Sequence, residues 1–270
     1  MKIEAYKTAE EALRSMTGTL ISVIKKSKSK PFHIALSGGS TAQQLFKLWV
    51  KEYRNDIPWD ILRFYWVDER CVSPEDDESN FKHAERLLFM PLDIPQNHIH
   101  RIWGEQEPKV EAERYSEMVK WELPGYSNMP RFDCTILGIG ADGHVASIFS
   151  DSMNLLTDQR IYAVSHHPKT GQQRITMTGT VILKSSAILI PVIGPDKQEI
   201  MEHLVQKQLV LPVLPQIKGV QPLKGEHVVT RQIPDAVRVG HQHLLQAHLL
   251  HGGQHSLDPF LVHDLSPLSF

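Results

Sequence analysis

Four short apolar runs in this chain each stop abruptly on glycine or charge, and helical patterns lie between them. Phe32–Leu36 stops on Ser37-Gly38-Gly39-Ser40-Thr41, and residues 61–67 stop on Asp68-Glu69-Arg70. Residues 134–137 stop on a turn carrying Gly138, Gly140 and Gly143, and residues 187–193 stop on Gly194-Pro195-Asp196-Lys197. Runs this short, bounded by turn residues and lacking polar alternation, are what strands buried on both faces look like. Strands of that kind alternating with helices predict an α/β fold: a three-layer, mostly parallel sheet with helices on both faces. No internal repeat interrupts the alternation, and no linker precedes about residue 207.

The helical segments can be placed from caps and periodicity. Thr8, with Glu11 three residues on, predicts a capping box opening a helix to about Lys26. Its apolar face would be Ala12, Leu13, Met16, Leu20, Val23 and Ile24. Leu45, Phe46 and residues 48–50 predict a second helix directly after the serine–glycine loop. Ser79 opens a third with Ala84, Leu87 and Leu88, and residues 109–121 form a fourth. A further helix after Lys197 presents Ile200, Met201 and Leu204, and the run after His144 can begin another. Residues 161–164 read as a short strand, and Arg174 begins a segment that runs to Leu183.

After Gln208 the regularity fails. The stretch 209–225 is interrupted by prolines, and seven of the fifteen histidines fall between His227 and His263. One domain over 1–225 followed by a weakly structured, histidine-rich tail over 226–270 is the expectation. Within that tail Leu244, Leu245, His248 and Leu249 fit one short amphipathic helix, and His241, His243 and His248 allow a metal reading that the weak tail disfavours. The abrupt change reads as local divergence or as a shifted reading frame.

Composition narrows the function classes. At 270 residues with a formal charge of −2, the chain has room for a sizeable core and no charge excess to suit nucleic acid or membrane. The first residues lack the apolar core of a signal peptide, and no stretch is apolar for the ~18 residues a membrane span needs. Cys71 and Cys134 are too few for a disulfide framework or a metal knuckle. A soluble, cytoplasmic protein is expected.

Three motifs carry chemistry. Ser37-Gly38-Gly39-Ser40-Thr41 links a strand to a helix, so free backbone N–H groups at the helix start can hold a phosphate; the alternative is a serine-capped tight turn. Asp68-Glu69-Arg70 ends a strand where α/β sheets bind ligands, and Arg70 can grip a phosphate; the alternative is a surface ion pair. In the third motif, His144 follows Asp142 and Gly143, where an imidazole can act as base or acid near neutrality or simply complete a turn. Gly138, Gly140 and Gly143 also match a dinucleotide fingerprint. No second strand ends in an acid at the required spacing, so that reading is rejected. His98 and His100 lack nearby partner ligands and read as loop residues rather than a metal site.

Taken together, ALSGGST (35–41), WVDERCVSPEDDESN (66–80), LGIGADGHVASIF (137–149), RITMT (174–178) and GPDK (194–197) resemble the 6-phosphogluconolactonase family, a relative of the glucosamine-6-phosphate deaminases. The resemblance implies a glucosamine-6-phosphate deaminase-like fold and hydrolysis of 6-phosphoglucono-1,5-lactone to 6-phosphogluconate in the oxidative pentose phosphate pathway. It implies no cofactor, no metal and no partner beyond that small molecule, and leaves the oligomeric state open. His144 would be the general base that activates water, with Asp142 orienting it or binding a sugar hydroxyl. N–H groups of the glycine turn would stabilise the oxyanion. Ser37, Gly38, Gly39, Ser40, Thr41, Asp68, Arg70, Arg174 and Lys197 would bind the substrate. Two alternatives are a deaminase-type isomerase and a non-catalytic sugar-phosphate-binding protein. Deaminases carry a glutamate where this chain has Phe149, and a sensor would need a basic DNA-binding segment. The closing strand and helix usual in the family are not recognisable here.

Overall fold

The computed structural model describes residues 2–28, 30–123, 125–126, 129–205 and 244–250. Its strands are β1 (Lys2–Tyr6), β2 (Phe32–Leu36), β3 (Leu62–Trp66), β4 (Asp68–Arg70), β5 (Gly125–Tyr126), β6 (Met129–Pro130), β7 (Cys134–Ile136), β8 (Tyr162–His166), β9 (Gln173–Met177), β10 (Ala187–Val192) and β11 (Leu244–Leu250). The helices are α1 (Ala9–Lys26), α2 (Gly39–Glu52), α3 (Asn80–Ala84), α4 (Pro108–Glu122), α5 (Gly179–Ile182) and α6 (Gln198–Val205). No described helix is long and apolar enough to cross a membrane.

The main sheet has six parallel strands in the order β1, β11, β10, β7, β2, β3. Every residue of β2 and of β10 is buried, as strands covered on both faces must be. α1 starts as the sequence predicts: the Thr8 hydroxyl accepts from the Glu11 N–H, and the Glu11 carboxylate accepts from the Lys7 N–H. Ser79 caps α3 in the same way through the Lys82 N–H. From α3 the chain continues through one π-helical turn, Glu85–Phe89, which periodicity did not distinguish from an ordinary helix.

Two features of this order position the site. The chain leaves β2 for β3 on one side, while β7 pairs with β10 on the other, so β2 and β7 flank a topological switch point. Ligands of open α/β sheets bind in the crevice at the carboxyl ends of such a strand pair. Secondly, β4, β9 and β8 form a separate antiparallel sheet. Val67 joins the two sheets: its N–H donates to the Leu36 carbonyl, and its own carbonyl accepts from the Met177 N–H. Asp68-Glu69-Arg70 is therefore not a loop at the end of a strand but a strand of the second sheet.

Two expectations are corrected. No helix follows His144. The chain turns back on itself through bridges between Ile139 and Val145 and between Val145 and Ile148, with Ala146 at a left-handed φ of 53°. That conformation costs roughly 1–2 kcal/mol for a residue with a Cβ, and it breaks any helix. Residues 244–250 are strand β11 rather than a helix, lying between β1 and β10. A slot with parallel partners on both sides satisfies the backbone of a short apolar segment whose periodicity alone is ambiguous. The proline-interrupted stretch 209–225, His241 and His243 lie outside the described residues.

Candidate active site

His144 and Asp142 face each other across a turn that glycine alone permits. His144 Nδ1 lies 2.5 Å from Asp142 Oδ1. Since a carboxylate only accepts, this bond places the neutral ring's proton on Nδ1 and leaves a lone pair on Nε2. Burial pushes the Asp142 carboxyl up, but the bond and charge of His144 outweigh it and hold it below its usual value. The imidazole lies over Gly140, where a Cβ would fall 2.1 Å from His144 Nδ1. Gly143 adopts a φ of +85°, in the region that favours glycine. On its other side the imidazole meets the Phe149 ring at 4.6 Å between centroids.

The glycine N–H groups expected to stabilise an oxyanion are already used. The Gly138 N–H donates to Ser37 Oγ, the Gly140 N–H to the His144 carbonyl, and the Gly143 N–H to the Gly140 carbonyl. These bonds fold the turn and leave none of the three glycine donors for substrate. Ser37 is likewise spent: its hydroxyl donates to the Ile136 carbonyl while accepting from Gly138. It ties the carboxyl end of β2 to that of β7, which brings the serine–glycine loop beside the histidine turn.

The start of α2 keeps its donors. Gly38 is the N-cap, and no side chain bonds to the first turn, so the Gly39, Ser40 and Thr41 N–H groups stand at the positive end of a 14-residue helix. A Cβ on Gly38 would lie 1.8 Å from Asn80 Oδ1, so only glycine fits against α3 there.

The second sheet supplies the positive charge. Arg70 of β4 pairs directly with Arg174 of β9, so the two side chains leave the same face of the sheet. Burial and the Arg70 charge pull the Arg174 guanidinium down from its ordinary range, which is the electrostatic signature of a place that wants an anion. Asp68 relieves part of this at 3.9 Å from Arg174. Arg70 donates through Nη1 to the Glu78 carbonyl, while its buried Nε has no acceptor among the described residues. The same face holds the histidine turn in place: Ser147 donates from Oγ to Asp68 and from its N–H to Thr176 Oγ1, and its carbonyl accepts from Ser165. Arg174 also sits 6.0 Å from the Phe149 ring. Phe149 thus lies against both the imidazole and Arg174.

Lys197 lies on a separate element. It ends the turn that leads into α6, whose Ile200 would lie 2.9 Å from a Cβ on Gly143, and it forms a 3.0 Å ion pair with Asp196. His98 and His100 belong to the core. His100 stacks on Tyr65 at 4.6 Å, and burial lowers the pKa of both histidines. Sequence reading overlooked Glu69. Its buried carboxylate accepts from the Arg70, Asn80 and Phe81 N–H groups and the Ser79 hydroxyl, clamping α3 to β4. The signal was there: an acid ten residues before a serine cap, directly after a run of buried strand.

A family model for glucosamine-6-phosphate isomerases/6-phosphogluconolactonase matches residues 6–227. The 6-phosphogluconolactonase of Treponema pallidum (strain Nichols) is 38% identical over 193 residues, covering 71% of this chain and 80% of its own. That of Haemophilus influenzae is 38% identical over 205 residues, covering 76% and 85%. Among solved structures, the devB protein superposes with a TM-score of 0.74 at 34% identity, covering 92% of this chain and 97% of its own.

Proposed function

The chain belongs to the glucosamine-6-phosphate isomerase/6-phosphogluconolactonase family, and from that premise we propose that it hydrolyses 6-phosphoglucono-1,5-lactone to 6-phosphogluconate, as a cytoplasmic enzyme of the oxidative pentose phosphate pathway. The observation that carries this reading is the Asp142–His144 pair set beside two arginines of one sheet face, with Phe149 between them.

The substrate joins an activated cyclic ester to a phosphate dianion. Arg70 and Arg174 hold the phosphate with charge-assisted bonds, and the uncapped start of α2, residues Gly38 to Thr41, shares that end. Lys197, on the turn into α6, is a further cation for the substrate's phosphate. Ser37 and Asp68 act indirectly: Ser37 ties the two loops, and Asp68 holds Arg174 and Ser147. At the ester end, His144 Nε2 takes a proton from water as the oxygen attacks the lactone carbonyl. The same proton passes to the ring oxygen when the tetrahedral intermediate opens. Asp142, itself exposed, fixes the ring orientation and favours the imidazolium formed in between. The deaminase reading lacks its glutamate, because Phe149 occupies that position. We assign this activity to 1–225, with 226–270 contributing strand β11 to the sheet.

Proton release on mixing the protein with freshly made lactone, measured against spontaneous hydrolysis, tests the reading. The unaltered protein accelerates release. His144→Ala removes nearly all of the acceleration, about a hundredfold or more, while affinity for 6-phosphogluconate persists. Full activity in His144→Ala would refute the mechanism.

A further inference from the structure

On the lactonase reading, we infer that His167 is a further substrate-binding residue, donating a hydrogen bond from Nε2–H to the substrate phosphate beside Arg174. The register of the second sheet carries the argument. Arg70 pairs with Arg174, and Arg174 pairs with Ser165. Side chains two residues apart along a strand share a face. His167 follows Ser165 by two, and its N–H donates to the Gln172 carbonyl, two residues before Arg174. His167 therefore extends the same face by one row, diagonal to Arg174, at a spacing of about 7–8 Å that long side chains span.

Ring contacts agree with the register. The His167 ring meets the Phe149 ring edge-on at 5.2 Å, and Phe149 also meets His144 at 4.6 Å and Arg174 at 6.0 Å. One phenyl ring thus serves as common wall for the proposed base, a phosphate arginine and His167. The tautomer of the neutral ring is fixed as well. His167 Nδ1 accepts the Lys169 and Thr170 N–H groups of the hairpin turn, both at 3.3 Å, so the neutral ring carries its proton on Nε2. Nε2 has no partner of its own among the bonds of the described residues. The imidazole is half-buried, held at one nitrogen by backbone and offering the other as an oriented donor.

Two isosteres separate binding from structure. His167→Asn keeps an acceptor for the turn N–H groups and loses the distal donor, whereas His167→Gln keeps a distal donor. With the lactone as substrate, His167→Asn raises KM about tenfold and changes kcat by less than about twofold, and His167→Gln returns KM to within about threefold of the unaltered protein. An unchanged KM in His167→Asn overturns the assignment, and so does equal impairment of both variants, which marks a purely structural hairpin residue. Titrating the unaltered, 15N-labelled protein with inorganic phosphate provides a readout that needs neither a variant nor turnover. The His167 Nε2 resonance shifts on saturation if the assignment holds, and stays in place if it fails. Absence of lactone turnover in the unaltered protein would remove the lactonase reading alone, leaving the phosphate titration to decide on His167.

Discussion

Gly140 shows how tightly single residues govern the chemistry here. A Cβ at that position would lie 2.1 Å from His144 Nδ1, 2.3 Å from His144 Cε1 and 2.5 Å from Asp142 Oδ1. These atoms belong to side chains that can swing aside, so Gly140→Ala should cost little stability yet move the imidazole off its partner. A misplacement of about 1 Å is worth roughly a hundredfold in rate. We expect kcat for the lactone to fall by about that factor in Gly140→Ala while the urea midpoint moves little; a fully active variant would show that the Asp142–His144 geometry does not limit the reaction. On the proposed reading, Arg70 is a binding rather than a rate determinant. Arg70→Ala should raise KM by about tenfold or more with a smaller effect on kcat, and an unchanged KM would remove Arg70 from the phosphate site.

At the scale of elements, the short α3 and the three-residue β4 depend on one carboxylate. Glu69 is buried and accepts three backbone N–H groups and a hydroxyl. Burial raises its carboxyl, the three N–H groups pull it back and the Asp68 charge adds to the rise, leaving it at about 7. A folded-state pKa above the unfolded value means that the folded chain binds the proton more tightly. The stability Glu69 contributes is then fully present below the unfolded value, about 4.5, and declines as pH rises towards 7. Glu69→Gln abolishes that slope and leaves a backbone donor opposed by an amide N–H, at a cost of about 1–3 kcal/mol. Urea denaturation at several pH values should show both effects. A midpoint unchanged at every pH would mean that α3 is not held by this carboxylate. Because α3 also carries Asn80, packed against Gly38, its loosening should weaken phosphate binding as well.

Across the whole molecule, three histidines, two buried and one half-buried, oppose that trend. His33, His98 and His100 each have a pKa lowered first of all by burial. For a base, a depressed folded-state pKa means that the unfolded chain takes up protons first. The stability it contributes is therefore present above about 6.5 and is lost as pH falls through the folded-state values. His100→Phe keeps the stack on Tyr65 without a titrating nitrogen. Its Tm should fall less than that of the unaltered protein between pH 7 and pH 5; equal losses would place the acid sensitivity elsewhere. None of these histidines belongs to the candidate site, so this dependence concerns folding rather than turnover.

How much of this was legible beforehand differs by element. β2, β10 and α1 were readable because their signals are local: unbroken apolar runs for the strands, and a capping box with a 3.6-residue stripe for the helix. His144, Asp142 and the start of α2 were equally readable, since a glycine turn and a strand-to-helix loop state their own geometry. Local signals failed where a partner distant in sequence decides the outcome. β11 is a strand because β1 and β10 flank it, Asp68-Glu69-Arg70 is a strand because β9 receives it, and the glycine N–H groups are occupied because the turn folds onto itself and onto Ser37. The chain's own residues thus determined that it would be an α/β protein with a histidine turn and a glycine loop opening a helix. Only the tertiary structure decided that Arg70, Arg174 and His167 share one sheet face beside that turn, because pairing register, which no single segment contains, sets which side chains meet.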